Sequence, residues 1–259
     1  MSVPITHKHT LYLIIIGPAG SGKSTLVSVF GEWLTRNQGI SVSYVNLDPG
    51  AEYVPYKPDI DVRYFVRVED LMRKRGLGPN GALIASMEDL LLRRIEVFKR
   101  IDKLDSDFVL IDTPGQMELF LLHEVGPSFS QEFAKRGATC TLMLFDAALA
   151  NKPSHVVILK TIGLAAQLRL GLPTIIALNK SDLSSASRAS VWLKEPEYLQ
   201  EDLLDEPGVF SDLASHLASL LEKFSFAKRI PAVSATKGEG LEMIYDLVHE
   251  IWCACGDLT

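Results

Sequence analysis

The chain has 259 residues, of which 47% are hydrophobic and 22% charged, and its formal net charge is −6 at pH 7. That apolar content supplies one large core or two small ones, and the dispersed Lys and Arg speak against non-specific nucleic-acid binding. Three cysteines are too few for a disulfide framework, and Cys253-x-Cys255 lacks partner ligands, so these two and Cys140 read as ordinary thiols of a reducing cytoplasm.

His7 and His9 lie in a polar tail and carry no assigned role. The first apolar run, residues 11–16, is far too short to span a membrane and lacks the basic start and cleavage site of a signal peptide. Its near-continuous apolar character predicts a strand covered on both faces. Directly behind it come Gly17, Pro18, Ala19, Gly20, Ser21, Gly22, Lys23, Ser24 and Thr25, a G-x-x-x-x-G-K-[ST] loop, and then a helical pattern over residues 24–36. Glycines let backbone N–H groups curl around an anion, and the positive end of the helix points at the same place. Lys23 is suited to β- and γ-phosphate charge and Ser24 to Mg²⁺.

A second strand covers residues 41–47. The short link before it suits a right-handed parallel crossover, which puts Asp48 at the carboxyl edge of the sheet beside the phosphates. An Asx-turn ahead of Pro49 is the plain alternative for Asp48. The long connection 50–107 contains Gly78–Pro79–Asn80, a turn-like triplet, followed by Leu83, Met87, Leu90, Leu91, Ile95 and Phe98 along one face of a single predicted long helix. Asn80 is a donor and acceptor that does not titrate, and Gly78 and Pro79 sharpen and stiffen its loop.

The strand at 108–111 runs into Asp112–Thr113–Pro114–Gly115–Gln116. Asp112 ends a buried strand, where it can hold Mg²⁺ through water. Gly115 offers an N–H to a γ-phosphate, and Gln116 occupies the usual place of a water-orienting glutamine. Residues 117–122 are unusually apolar, which predicts core packing or, more sharply, a subunit interface. Strands at 140–145, 174–178 and 230–234 alternate with helices at 156–170 and 241–251, and residues 184–229 read as a helical insertion. Asn179, Lys180 and Asp182 close the 174–178 strand. A carboxylate at Asp182 can accept from guanine N1–H and the 2-amino group, for which adenine has no counterpart. The Lys180 stem can cover the base, and backbone N–H groups of Ser234, Ala235 and Thr236 can meet guanine O6. The order of elements predicts an α/β fold, a doubly wound, mostly parallel sheet flanked by helices, with 1–259 as one domain.

These residues, from about Tyr12 to Lys237, resemble a P-loop GTPase. "NLDPGAE", "LGPNGAL", "IDTPGQMELF" and "LNKSDL" together resemble the GPN-loop GTPase family, in the short archaeal-type form. The resemblance implies Mg²⁺-dependent hydrolysis of GTP to GDP and phosphate. It implies a homo- or heterodimer in which Gly78, Pro79 and Asn80 enter the partner's site and hold the γ-phosphate and attacking water. Asp48 then orients water or Mg²⁺, and Gln116 and Glu118 belong to the catalytic shell. Asp61 and Arg63 brace the loop where relatives have an Asp–Ile–Arg–Asp-like stretch and this chain reads "DVRYF". The resemblance also implies a role in assembling a multi-subunit client such as RNA polymerase; neither nucleic acid nor a membrane is expected as a direct partner. Two other classes stay open at this point. One is a P-loop kinase with a lid bearing Arg188, Lys194 and Lys223, and the other is a nucleotide-gated scaffold with negligible turnover.

Overall fold

The computed structural model describes residues 10–183, 186–207, 210–224 and 230–256. His7, His9 and parts of the 184–229 segment lie outside them. Strands β1 (Leu11–Ile16), β2 (Val42–Asn46), β3 (Ile60–Asp61), β4 (Phe108–Asp112), β5 (Ala138–Asp146) and β6 (Thr174–Asn179) form one sheet in the order β3-β2-β4-β1-β5-β6. Every pairing is parallel. The expected sheet is therefore present and wholly parallel, as strand–helix–strand crossovers require.

Alternation along β1 divides the core. Tyr12, Ile14 and Ile16 enter one apolar layer; Leu11, Leu13 and Ile15 enter the other. Helices α1 (Lys23–Trp33) and α11 (Leu241–Gly256) close the second layer. The first layer is closed by α3 (Pro79–Leu92), α4 (Arg94–Ile101), α5 (Met117–Leu122), α6 (Val125–Ala134) and α7 (Pro153–Leu170). Burial on both faces explains why the strands lack polar alternation.

Two sequence expectations change, and one strand appears that was not expected. The predicted strand at 230–234 is reduced to a single bridge, Ala232 to Leu178, because Ser234 turns at once to pair with Glu239. The two-residue β3 has too little apolar run to be seen in advance. The predicted long helix is broken at Arg93 (φ −91°, ψ 5°). The break rotates the helical faces: Val97, Phe98 and Ile101 are buried, whereas Ile95 is exposed. Helix α2 (Val68–Arg75) pairs with α3 around a separate small core of Val66, Leu71, Ala82 and Ala85.

The described residues of the expected 184–229 insertion include α8 (Ala186–Lys194), α9 (Pro196–Leu204) and α10 (Ser211–Phe224). Leu199, Leu203, Ala218 and Leu221 join the same apolar layer as the sheet. Of the 117–122 stretch, Leu119, Phe120 and Leu121 are buried, so core packing accounts for them, while Leu122 is exposed.

Gly126 shows how tightly α5 and α6 meet, since a Cβ there would collide with the Phe120 carbonyl. Gly126→Ala is expected to cost about 1–3 kcal/mol of overpacking. A lowered urea midpoint is the measurement, and an unchanged midpoint would refute that contact.

Candidate nucleotide site

The site assembles at the carboxyl edge of the sheet, where ligands bind in open α/β folds. Residues 17–22 link β1 to α1. Gly22 has φ 93°, a left-handed value that favours glycine, and a Cβ there would strike the Asn179 amide. A Cβ at Gly17 would meet the Leu144 carbonyl. The loop is thus shaped by close contact with two later strands.

Lys23 is buried and donates to Gly17 O (2.9 Å) and Pro18 O (3.1 Å). Burial lowers its pKa, opposed by the Asp112 and Asp48 carboxylates. Ser24 and Thr25 follow on the first turn of α1.

Asp112 ends β4 at 1% exposure. Burial pushes its pKa up to about 6, against the neighbouring hydroxyls of Ser24 and Tyr56 and the charge of Lys23. Its Oδ2 accepts from the Tyr56 hydroxyl at 3.0 Å, and its Oδ1 is buried without a hydrogen-bond partner. An orphaned carboxylate oxygen is costly unless a ligand completes it. With the Ser24 hydroxyl beside it, this donor set fits Mg²⁺, which takes few protein oxygens and completes its shell on phosphates and water. Among the described residues no three His, Cys, Asp or Glu side chains cluster to hold a metal. A phosphate-shared cation requires no such cluster.

Asp48 makes the Asx-turn of its plain reading and also reaches Gly115. Its Oδ1 accepts from Gly50 N–H at 2.8 Å, the Asx-turn, and its Oδ2 accepts from Gly115 N–H at 3.3 Å. The carboxylate therefore stands at the very donor assigned to a γ-phosphate. Gln116 is half-buried at the start of α5, and Glu118 is exposed on its first turn. Asp61 and Arg63 are bonded to each other, with Arg63 Nη2 to Asp61 Oδ2 at 2.7 Å. Burial raises the Asp61 pKa, but hydrogen bonds from Arg63 and Asn46 outweigh it and leave the carboxyl lowered. Arg63 also donates to Ala51 O at 2.9 Å, so the pair braces the segment after Asp48 and does not touch residues 78–80.

Gly78, Pro79 and Asn80 are exposed. Gly78 caps α3, and Pro79 sits at its first position, where proline's missing N–H costs nothing. The triplet is thus a helix start, whereas a turn was expected. Gly78 has φ −69°, and a Cβ there would meet nothing within 4 Å. No contact among the described residues explains that glycine.

The base side is held by hydrogen bonds. Asn179 donates to Ser21 O (2.8 Å) and accepts from Ala235 N–H (3.0 Å). Asp182 is exposed, and Ser234 Oγ donates to its Oδ1 at 2.7 Å, lowering its pKa. Lys180 adopts φ 64° and bonds Asp146 at 2.6 Å. Ser234 N–H is taken by Glu239 O and Ala235 N–H by Asn179, which narrows the expected O6 donors toward Thr236. Arg188 pairs with Asp202 at 3.2 Å and lies over Trp192, so it is engaged within the insertion and not presented as a lid. Cys253 is exposed, its Sγ 3.4 Å from His249 Nδ1.

Sequence reasoning missed Tyr56 and Asp146. Asp146 carried a signal, since it ends a strand at the same edge as Asp112. Tyr56 carried none, because only folding brings it against a residue 56 positions away.

Fold and site define a P-loop protein of the GTPase class. A family model described as "Conserved hypothetical ATP binding protein" matches residues 15–254. A GPN-loop GTPase of Pyrococcus abyssi is 38% identical over 254 residues, covering 96% of this chain and 100% of that one. GPN-loop GTPase 1 of Dictyostelium discoideum is 28% identical, covering 93% of this chain and 61% of that one. The crystal structure of a Pyrococcus abyssi GTPase in its apo form matches with a TM-score of 0.86 at 37% identity, covering 95% of this chain and 98% of that one. The chain belongs to the GPN-loop GTPase family. The family description names ATP, whereas the curated relatives are named as GTPases.

Asp182→Asn is expected to weaken GTP by about 100-fold relative to XTP, whose 2-oxo group needs a donor. Competition binding with GTP, ATP and XTP measures this. Equal GTP and ATP affinity in the parent protein would remove Asp182 from base selection.

Proposed function

We propose that this GTPase is a dimeric, Mg²⁺-dependent switch that hydrolyses GTP to GDP and phosphate, each subunit's Asn80 completing the other's site. The observation that carries the catalytic part is the meeting of Lys23, Asp112, Asp48 and Gly115 at one edge, joined to a guanine-selective Asp182. Ser24 and Asp112 would hold Mg²⁺, which neutralises phosphate charge when bound. Lys23 exchanges its P-loop carbonyls for phosphate oxygens. Gly115 N–H passes from Asp48 to the γ-phosphate, leaving the Asp48 carboxylate to accept from the attacking water beside Gln116. Catalysis of this kind is positioning and charge stabilisation, with no protein nucleophile.

The dimer part is supported by Gly78 and Asn80. They stand exposed at a preformed helix start, with a glycine whose open α-carbon suits close approach by another molecule. Leu122 and Leu168 are exposed on α5 and α7, where Arg169 reaches the Leu122 carbonyl at 3.2 Å, and Leu92 and Ile95 are exposed at the α3–α4 break. Apolar exposure of that kind suits self-association. A nucleotide-dependent arrangement of two subunits would serve assembly of a multi-subunit client. No helix among the described residues is long and apolar enough to cross a membrane.

Single-turnover phosphate release from GTP, with and without Mg²⁺, tests the hydrolase; no release from GTP would sink it. Asn80→Ala is expected to slow hydrolysis by roughly 10- to 1000-fold, the scale of losing one preorganised donor, while GDP affinity stays near native. Mixing Asn80→Ala with Lys23→Ala chains restores one intact composite site if the loop acts between subunits. If mixed dimers form and activity stays absent, the loop acts within its own chain.

A further inference from the structure

Tyr56 has no part in the reaction above, yet it touches the group that would carry the metal. We propose that Tyr56 is a positioning residue for Asp112: its hydroxyl holds Oδ2 and leaves Oδ1 for the cation. The inference rests on the Mg²⁺ reading of the site.

A carboxylate at a strand end rotates broadly about its terminal torsion. The 3.0 Å bond from Tyr56 fixes one oxygen of Asp112, and the other is the buried one without a partner. The donor is neutral, so it orients the carboxylate without cancelling the charge that a cation needs, as Lys or Arg in the same place would. A phenol carries its proton throughout the physiological range, so the hydroxyl is a donor there.

The phenol is itself held. Its ring stacks on Tyr44, with centroids 5.3 Å apart and planes at 24°. Room for Tyr44 comes from Gly31, where a Cβ would strike the Tyr44 hydroxyl. Ser28 of α1 donates to Pro55 O at 3.1 Å, fastening the preceding residue. Beyond it, Asp59 N–H donates to Tyr44 O and Tyr44 N–H to Asp59 Oδ2, both at 2.8 Å. The 51–59 segment is therefore a strap, tied to α1 and β2, that delivers one hydroxyl to the end of β4. Outer-shell donors of this kind set ligand orientation and metal affinity.

Tyr56→Phe keeps the ring and its stacking and removes the hydroxyl. The release rate of a fluorescent GDP analogue is followed as Mg²⁺ is titrated, with EDTA as the metal-free reference. The half-effective Mg²⁺ concentration is expected to rise by about 10-fold or more, while release in EDTA and the metal-free melting temperature stay at parent values. The same half-effective concentration in variant and parent would overturn the proposal. Equally faster release in EDTA would overturn it too, reducing Tyr56 to general support. A parent protein insensitive to Mg²⁺ would remove the underlying metal reading along with it.

Discussion

Asn179 ties together three parts of the site that the chain supplies far apart. One amide donates to the P-loop at Ser21 and accepts from the last loop at Ala235. It is almost fully buried, so leaving either of its groups unpaired would cost about 1–3 kcal/mol. The P-loop cannot shift without disturbing the base side, and the glycine at position 22 exists in part to let that amide approach. The P-loop and the candidate base side are thereby joined in one frame built on β1 and β6, with β5 between them.

Within that frame, charge is the working material. Three carboxylates, Asp48, Asp112 and Asp146, stand at the same edge of the sheet, and only Asp146 has a settled cationic partner, Lys180. Burial raises the pKa of Asp112 despite its hydroxyl neighbours and Lys23, and Asp48 occupies a donor that an anionic substrate needs. Nucleotide and cation together would relieve both conditions. The site is thus least comfortable without its ligands, as expected where binding energy is directed to charge stabilisation.

The motifs were legible in the sequence because each is a local device. Gly17–Thr25, Asp112–Gln116 and Asn179–Asp182 announce a strand end, a turn and a polar tip within a few residues. The sheet was legible because five buried runs lack polar alternation. What sequence reading lost were features set by distant partners. Residues 230–234 are apolar enough for a strand, but the Ser234–Glu239 turn truncates them. Residues 83–98 keep one helical period on paper, yet Arg93 leaves helical geometry and the faces rotate. Arg63 was expected to brace residues 78–80, and its guanidinium instead reaches Ala51. Tyr56 lies in an unremarkable "YVPYKP" and matters only through a contact across the sheet.

The break at Arg93 has a mechanical side. Helices α2 and α3 share their own small core and are linked by Arg75 to Asp89 at 2.8 Å, whereas α4 keeps Val97, Phe98 and Ile101 in the main core. The pair meets the Asp48 turn through Val68 N–H to Pro49 O, and Met87 and Leu90 of α3 reach into the main core. Helix α3 therefore straddles two cores, with Ala82 and Ala85 in the small one and Met87 and Leu90 in the main one. Its first turns, which carry residues 78–80, can loosen together with α2 while its later turns stay fixed to the sheet side. Amide exchange should show α2 and the first turns of α3 opening ahead of the later turns and α4.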